Sequence, residues 1–318
     1  MRLLITGAAG FVGFAVYKEA RARSIFVRPV VRDARQGRRL GIGMTDILFA
    51  NDFGPGCDWT EGLVDIDVVI HCLARSSVVS RKDPEKLADL RKVNVLGSLN
   101  LAEQAAAAGV KRFIFISSAK VNGEVTELDY AFTADDLAAP EDEYGSSKAD
   151  AEAGLRRISN RSSMEVTIIR PPMVYGVGAK GNFATLVKWI RCGWPMPLGG
   201  LTENRRSFVA VDNLVDLILT TTEHPNAGNR TLMVSDGEDL STADFICRLG
   251  EAIGRAPRMV VVPTNLLPLL DHLAGKPGSF RRLSTSLRLD IRATQELLGW
   301  RPIIGVDEGL RRAVSEER

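Results

Sequence analysis

The sequence has few residues that bind metals or form disulfides, and neither sign of charge is in clear excess. Its 318 residues include four cysteines and three histidines, with no CxxC pair and no metal-ligand spacing. Lys and Arg total 41 against 39 for Asp and Glu, so a net charge of +2 gives no field that would recruit nucleic acid or an anionic membrane. We therefore expect structural thiols, no metal site and no nucleic-acid partner.

The sequence also lacks a long apolar run and a targeting pattern. The longest late stretch, residues 265–274, is too short to span a bilayer and contains Pro268 and Asp271, so we predict a helix of a small lobe there. Met1 leads directly into an apolar strand, with no basic leader or small-residue cleavage site. The expected location is the reducing cytoplasm, without membrane insertion.

Apolar runs of strand length alternate with helix-period segments through the first half of the chain. This alternation predicts an α/β fold with a Rossmann-type doubly wound parallel sheet, because strands covered on both faces are continuously apolar. After Pro171 the chain becomes rich in Gly and Pro, notably at residues 176–181 and 193–200. We predict a dinucleotide-binding Rossmann domain over residues 1–176, to which about 206–235 returns. Residues 177–205 and 236–318 are predicted to form a smaller substrate-binding lobe.

A glycine-rich turn follows the first apolar strand and precedes an amphipathic helix. In this GxxGxxG spacing, Gly7 permits a tight turn, Gly10 lets the backbone approach a pyrophosphate, and Gly13 allows close helix packing. The N-terminus of the following helix faces the phosphate charge. The turn predicts a dinucleotide site.

The end of the second predicted strand carries two residues that favour different cofactors. Asp33 lies where an acceptor for the ribose 2′-hydroxyl of NAD belongs, whereas the strand register places Arg32 at the tip, where its guanidinium suits the 2′-phosphate of NADP. Arg35 could assist the latter. We favour NADP(H), and NAD(H) stays open.

Two residues four positions apart predict an acid/base pair. Tyr144 and Lys148 project from one face of a helix, and the ammonium, together with the positive charge of an oxidised nicotinamide, is expected to lower the pKa of the phenol. Upstream, Ser118 ends a strand at the carboxyl edge of the predicted sheet, where ligands bind in such folds. Its hydroxyl could hold the substrate oxygen that receives the proton.

Together these residues resemble the extended short-chain dehydrogenase/reductase superfamily, in its NAD(P)-dependent nucleotide-sugar epimerase, dehydratase and ketoreductase branch. The resemblance covers nearly the whole chain. Its motifs are TGxxGxxG at Thr6–Gly13, HxxA at His71–Ala74, VNVxGxxNL at Val93–Leu101, SSAKVNGE at Ser117–Glu124, YGSSK at Tyr144–Lys148, RPPMVYGVG at Arg170–Gly178, RRSFVAVDN at Arg205–Asn213 and LGWRP at Leu298–Pro302.

The resemblance implies a catalytic triad of Ser118, Tyr144 and Lys148. It places Asn94 beside a proton-relay water, the alternative being an ordinary helix asparagine. The implied cofactor-binding residues are Gly7, Gly10, Phe11, Val12, Gly13, Arg32, Asp33, Asp52, Phe53, His71, Ala74, Ser117, Tyr144, Lys148, Pro171 and Met173. The implied substrate-binding residues are Ser118, Lys120, Asn182, Arg206 and Arg282. The two arginines would meet a diphosphate, although Arg282 could also belong to a solvated charge run.

Three departures from the family pattern bear on the substrate. Asn122 stands where many epimerases have tyrosine, Lys120 lies near the active serine where small residues are usual, and Pro172-Met173 replaces an asparagine-bearing strand end. The amino-acid sequences of these motifs are most similar to those of bacterial reductases of UDP-4-keto-6-deoxy-N-acetylhexosamine, which serve surface-polysaccharide synthesis.

The resulting hypothesis is hydride transfer from NAD(P)H to the C4 ketone of a UDP-sugar, with Tyr144 supplying the proton. One alternative is a UDP-hexose or UDP-N-acetylhexosamine 4-epimerase that retains its NAD. A remote one is a non-catalytic, dinucleotide-sensing binding protein on the same fold. A homodimer through the two long helices is the expectation from the family.

Overall fold

The computed structural model describes residues 1–41, 47–50, 52–75, 83–263 and 279–315. The strands of this part of the chain are β1 (Arg2–Thr6), β2 (Phe26–Val31), β3 (Leu48–Phe49), β4 (Val68–His71), β5 (Arg112–Ile116), β6 (Glu165–Arg170), β7 (Met173–Tyr175), β8 (Arg206–Ala210), β9 (Thr231–Met233) and β10 (Asp239–Leu240). Seven of them form one parallel sheet in the order β3-β2-β1-β4-β5-β6-β9.

The helices lie on both faces of this sheet and around a second, smaller one. They are α1 (Phe11–Ala22), α2 (Ala34–Arg39), α3 (Thr60–Leu63), α4 (Pro84–Arg91), α5 (Ser98–Ala107), α6 (Glu143–Ser159), α7 (Asn182–Cys192), α8 (Val211–Glu223), α9 (Thr242–Ile253), α10 (Ser279–Ser284), α11 (Arg292–Leu298) and α12 (Val306–Ser315). None of the described helices is long and apolar enough to cross a membrane.

The central strands are apolar without alternation because helices cover them on both sides. Leu3, Leu4 and Ile5 of β1 are fully buried, with alternate side chains entering two separate cores. Helices α1 and α8 pack together on one face, and α5 and α6 pack together on the other. The predicted doubly wound α/β fold is confirmed.

The second sheet has the order β10-β8-β7 and is packed by α7, α9 and α12. Its core is aromatic, with the rings of Phe208 and Phe245 stacked at 4.0 Å. Strand β9 rejoins the large sheet and α8 lies against α1, whereas β8 belongs to the small sheet. The division into two domains stays a prediction. The helix predicted over residues 265–274 lies outside the described residues.

Helices α4 and α5 are one continuous helix interrupted by a π-helical turn at Lys92–Gly97. A Cβ on Gly97 would lie 1.7 Å from the carbonyl oxygen of Phe53, so only glycine allows the loop after β3 to contact the helix here. Such turns occur often at functional sites. This one carries Asn94, with its side chain fully buried.

Candidate active site

The glycine-rich turn has the geometry of a phosphate cradle. Gly7 has φ +68°, and its carbonyl accepts a hydrogen bond of 2.8 Å from the Gly10 N–H. A Cβ on Gly13 would lie 2.2 Å from that carbonyl oxygen, which keeps α1 tight against the turn. Phe11 and Val12 open the helix, and no side chain caps it. The first N–H groups of α1 therefore point outward, where an anion can accept their hydrogen bonds.

At the carboxyl end of β2, the Arg32 guanidinium is exposed, whereas the Asp33 carboxylate is held by a hydrogen bond. Arg32 is exposed, and its guanidinium lies 5.7 Å from the ring centre of Phe53. Asp33 caps α2, its Oδ1 accepting a hydrogen bond of 2.8 Å from the Gln36 N–H. Asp52, next to Phe53, pairs with Lys92 at 2.8 Å. Of the two residues predicted to flank adenine, Phe53 thus lies beside Arg32, whereas Asp52 pairs with Lys92.

The His71 side chain is buried beneath the predicted cofactor site rather than exposed in it. The Ser98 hydroxyl donates to the Asn94 carbonyl at 2.8 Å, so it accepts from His71 Nε2 at 2.9 Å, while His71 Nδ1 accepts from Thr6 at 2.7 Å. Burial, with a smaller contribution from Lys148, lowers the histidine pKa to about 3. The ring is therefore neutral and braces β1 against α5. Only the part-exposed segment through Ala74 can face a cofactor.

The pair Tyr144 and Lys148 lies in the first two turns of α6. Asp142 caps this helix, its Oδ1 accepting a hydrogen bond of 2.7 Å from the Gly145 N–H. Lys148 is 1% exposed; its Nζ donates to the Ile116 carbonyl at 2.7 Å and lies 4.2 Å from the ring centre of Phe115. The ammonium is thereby fixed at the carboxyl end of β5.

One expectation about this pair is wrong for the chain by itself. Burial, and secondarily the charge of Asp142, raises the pKa of Tyr144 to about 12 instead of lowering it. Burial also lowers the pKa of Lys148 to about 8, although Cys72 and Glu152 oppose this. Desolvation sets the direction of both shifts, because it disfavours the charged form of each group.

The two serines after β5 differ in their surroundings. Ser118 is partly exposed and caps a short 3-10 turn at Ala119–Val121, accepting from the Lys120 N–H at 3.2 Å. Ser117 is buried and donates to Glu152 at 2.6 Å. Of the two hydroxyls, only that of Ser118 can reach a substrate.

The Asn94 side chain links α6 to the segment after β4. Its amide nitrogen donates to the Ser147 hydroxyl and to the Arg75 carbonyl, both at 3.0 Å, and its oxygen accepts from the Arg75 N–H at 2.8 Å.

Behind the serines lies a buried charged network, which we name the inner network: Ser117, Asn122, Glu152 and Arg170. The guanidinium of Arg170 donates to both Glu152 oxygens, at 2.6 and 3.0 Å, and to the Asn122 side chain at 3.0 Å. Glu152 and Arg170 are 1% and 3% exposed. Asn122, which departs from the family pattern, thus fills a structural place beneath the site.

A second network, which we name the outer network, consists of Lys120, Glu124 and Asp142. The Lys120 ammonium contacts both carboxylates and so joins the segment after β5 to the cap of α6. Glu124 also lies 3.8 Å from the Arg282 guanidinium. Arg206 donates to the Arg282 carbonyl at 2.7 Å, and burial lowers its pKa to about 10, against the effect of Glu124. The Arg206 side chain therefore contacts the backbone of Arg282, whose own guanidinium lies near Glu124.

The remaining predicted residues lie around this region. Pro171 is buried, and its carbonyl accepts from the Ala119 N–H at 2.9 Å, while Met173 begins β7 and is partly buried. Asn182 is exposed as the first residue of α7, after Gly181 with φ +70°. Among the described residues, no cluster of acidic, histidine or cysteine side chains could hold a metal ion.

Comparison with known proteins decides the family. The model of the NAD dependent epimerase/dehydratase family matches residues 3–235, well over half of the chain. The chain belongs to this family. It is an enzyme of the extended short-chain dehydrogenase type that uses a nicotinamide dinucleotide, as predicted from its motifs.

Relatives within the family span the whole chain. A UDP-glucose 4-epimerase of Vibrio cholerae is 43% identical over 312 residues, covering 97% of this chain and 93% of its own length. The solved structure of a Thermus thermophilus UDP-glucose 4-epimerase complexed with NAD has a TM-score of 0.78 and 25% identity, covering 99% of this chain and 98% of its own. A Bacillus cereus UDP-glucuronic acid 4-epimerase complexed with NAD, at 22% identity and a TM-score of 0.78 over 98% of this chain and 95% of its own, supports the fold alone.

Several residues that shape this family member's site escaped the sequence reasoning. Glu152 follows Lys148 by four residues on α6, and this spacing could have revealed it. Asp142 precedes the helix in the position of an N-cap, which is also a sequence signal. Glu124 follows Lys120 by four residues, which is the same kind of signal. Arg170 gave none, because its partners Glu152 and Asn122 come from other elements.

Proposed function

We propose that this enzyme reduces the C4 ketone of a UDP-4-keto-6-deoxy-N-acetylhexosamine with NADPH. The proposal is carried by the end of β2. Arg32 is exposed there beside Phe53 and pairs with no acid of the described chain, whereas Asp33 is engaged as the cap of α2. A cation at this place favours a ribose 2′-phosphate. A reductase draws on an NADPH pool, while an epimerase recycles its own NAD.

The residues present fit a nicotinamide dinucleotide. The glycine turn leaves no room for side chains at Gly7 and Gly13, and the start of α1 offers unpaired N–H groups to a pyrophosphate. Arg32 and Phe53 would hold the adenosine end, and Lys148 the nicotinamide ribose. When bound, the cofactor supplies a hydride.

Tyr144 suits the role of proton donor in a reduction. Its raised pKa of about 12 keeps the phenol protonated at neutral pH, the form that can give a proton to a developing alkoxide. Ser118 would orient the same oxygen by donating its hydroxyl hydrogen. The ammonium of Lys148, held by the Ile116 carbonyl, would stabilise the phenolate left behind.

The substrate would bind through its diphosphate. Arg206 and Arg282 lie together, and Arg206 is anchored by the Arg282 and Thr285 carbonyls at 2.7 Å each. Binding energy from a part of the substrate that does not react can position the ketone against Tyr144. Asn182 would contact the substrate from the start of α7, and a homodimer stays a prediction.

A UDP-hexose 4-epimerase is the second candidate. The 43% identical relative from Vibrio cholerae carries the name UDP-glucose 4-epimerase, and the match covers nearly all of both chains. The same triad serves this reaction, in which the sugar is oxidised and reduced again on one retained NAD.

The test is nicotinamide absorbance after mixing the protein with NADPH and UDP-4-keto-6-deoxy-N-acetylglucosamine. We expect stoichiometric loss of NADPH, and a loss of turnover of about 100-fold or more in Tyr144→Phe. UDP-glucose and UDP-N-acetylglucosamine are incubated in parallel without added cofactor. Their conversion to the C4 epimers, with no consumption of NADPH, would establish the epimerase instead. Binding of NADPH without either reaction would indicate a sensing protein.

The role of Arg32 is tested by Arg32→Ser, with the exposed Arg38→Ser on α2 as the matched loss of charge. We expect the KM for NADPH to rise about 10-fold or more in the first variant, because a charged hydrogen bond to phosphate contributes roughly 1.5–3 kcal/mol. The KM for NADH should stay unchanged in both. An equal change in both variants would remove Arg32 as the selector.

A further inference from the structure

Lys120 is the least expected residue near the active serine. It stands two residues after Ser118, where the family usually has a small residue, and its side chain is 27% exposed. Its ammonium contacts Glu124 on its own segment and Asp142 at the start of α6. Two of its three donors are thus committed to protein carboxylates, so it is poorly placed to be a substrate contact.

We propose that Lys120 is a positioning residue for the catalytic tyrosine, because its bridge between Glu124 and Asp142 holds the segment after Ser118 against the start of the helix that carries Tyr144. This inference rests on the proposed role of Tyr144. In this proposal Lys120 positions the tyrosine and does not bind the sugar.

Geometry supports the assignment from both ends of the bridge. Asp142 caps α6 through the Gly145 N–H at 2.7 Å, only two residues from Tyr144. Ser118 caps the 3-10 turn through the Lys120 N–H, so the side chain that makes the bridge and the serine belong to one short rigid unit. A shift of this unit relative to α6 would change the distance between the serine and tyrosine hydroxyls, to which catalysis is sensitive.

The bridge also has an electrostatic consequence. The titratable groups around Tyr144 and Lys148 are the N-cap Asp142 and Glu152 of α6, Lys120 and Glu124 after β5, His71 at the end of β4 and Cys72 after it. Of these, Asp142 opposes formation of the phenolate. Lys120 lies against that carboxylate and offsets its charge. Without the lysine, the pKa of Tyr144 should rise further.

The experiment compares Lys120→Met, Lys120→Arg, Asp142→Asn and the double variant Lys120→Met/Asp142→Asn. The control is Lys111→Met, which removes an exposed lysine paired with Asp67 at the opposite end of β5. For Lys120→Met we expect kcat to fall about 10-fold or more with little change in the sugar KM. The alkaline limb of the kcat pH profile should move to higher pH, because removing a positive charge raises the pKa of the nearby groups, Lys148 as well as Tyr144. Lys120→Arg should restore most of the turnover.

The double variant separates positioning from general structural damage. Asparagine can still cap α6 but carries no charge, so Asp142→Asn should return the pH profile of Lys120→Met towards the wild type. A 10-fold rise in sugar KM at unchanged kcat would overturn the proposal and make Lys120 a substrate contact. Unchanged kcat, KM and pH profile in Lys120→Met would overturn it as well. A fully active Tyr144→Phe would instead contradict the proposed function itself, so the two failures are distinguishable.

Discussion

The inner and outer networks both hold the carboxyl end of β5, but they lie in different surroundings. In the inner network, Glu152 and Arg170 are almost fully buried and share two hydrogen bonds. In the outer network, the side chains of Lys120, Glu124 and Asp142 retain 27%, 17% and 31% exposure. Water can replace a lost partner in the outer network but not in the inner one. The inner network should therefore govern stability, and the outer one the chemistry of Tyr144.

The largest effect should come from breaking the inner network. Arg170→Met keeps the volume but leaves the Glu152 carboxylate buried without its main cation, which should lower the free energy of unfolding by about 3–5 kcal/mol. Urea denaturation at neutral pH measures the loss. The matched control is Arg156→Met, which removes a 46% exposed arginine from the same carboxylate. It should cost less than about 1 kcal/mol, and equal losses in the two variants would refute the contrast.

Another buried carboxylate, that of Asp236, sharpens the comparison, because it accepts hydrogen bonds from neutral donors only. Asp236 accepts hydrogen bonds from the Tyr175 hydroxyl at 2.7 Å, the Ala210 N–H at 2.8 Å and the Asn213 side chain at 2.6 Å. Burial nevertheless raises its pKa to about 6. Its stabilising contribution is thus fully present below the unfolded-state pKa of 3.8 and is lost as pH rises through about 6.

The free energy of unfolding of the wild type, relative to that of Asp236→Asn, should therefore decrease as pH rises from about 4 to about 7. The decrease should be about 3 kcal/mol, because the pKa rises from 3.8 to about 6 and one pKa unit corresponds to roughly 1.4 kcal/mol. Urea midpoints at several pH values measure it. A difference independent of pH would show that hydrogen bonds from neutral donors stabilise the ionised carboxylate as well as a cation does.

The smallest effect on stability should follow from Lys120→Met, the variant that affects turnover most within the outer network. Its carboxylates remain partly hydrated, so we expect a loss of about 1 kcal/mol or less. If Lys120→Met lowered the free energy of unfolding as much as Arg170→Met does, the two networks would contribute equally to stability and the contrast between them would fail. The same urea series provides the measurement.

The parts of this molecule that could be predicted from sequence are those encoded over short distances. The glycine turn and the Tyr144–Lys148 spacing each lie within one strand–helix or helical unit, and the alternating apolar runs predicted the parallel sheet. In the chain by itself, the pKa of Tyr144 shifts opposite to the expected direction, because a sequence shows the neighbouring lysine but not the desolvation of the phenol.

Contacts across elements were beyond prediction for the same reason. Arg170 reaches Glu152 from β6, and Lys120 reaches Asp142 across 22 positions, with no periodicity to announce either pair. His71 shows the converse limit. Its motif places it correctly at the end of β4, but only the packed ring contacts show that its side chain faces inward.

The π-helical turn at Lys92–Gly97 limits how this protein can change by insertion and deletion. An α-helix turns by about 100° per residue, so removing one residue from this turn would rotate all of α4 by that angle relative to α5. Asn94 would then lose its hydrogen bonds to Ser147 and Arg75. Neither the residue at Gly97 nor the number of residues between Asn94 and Gly97 can change without moving Asn94 away from the site.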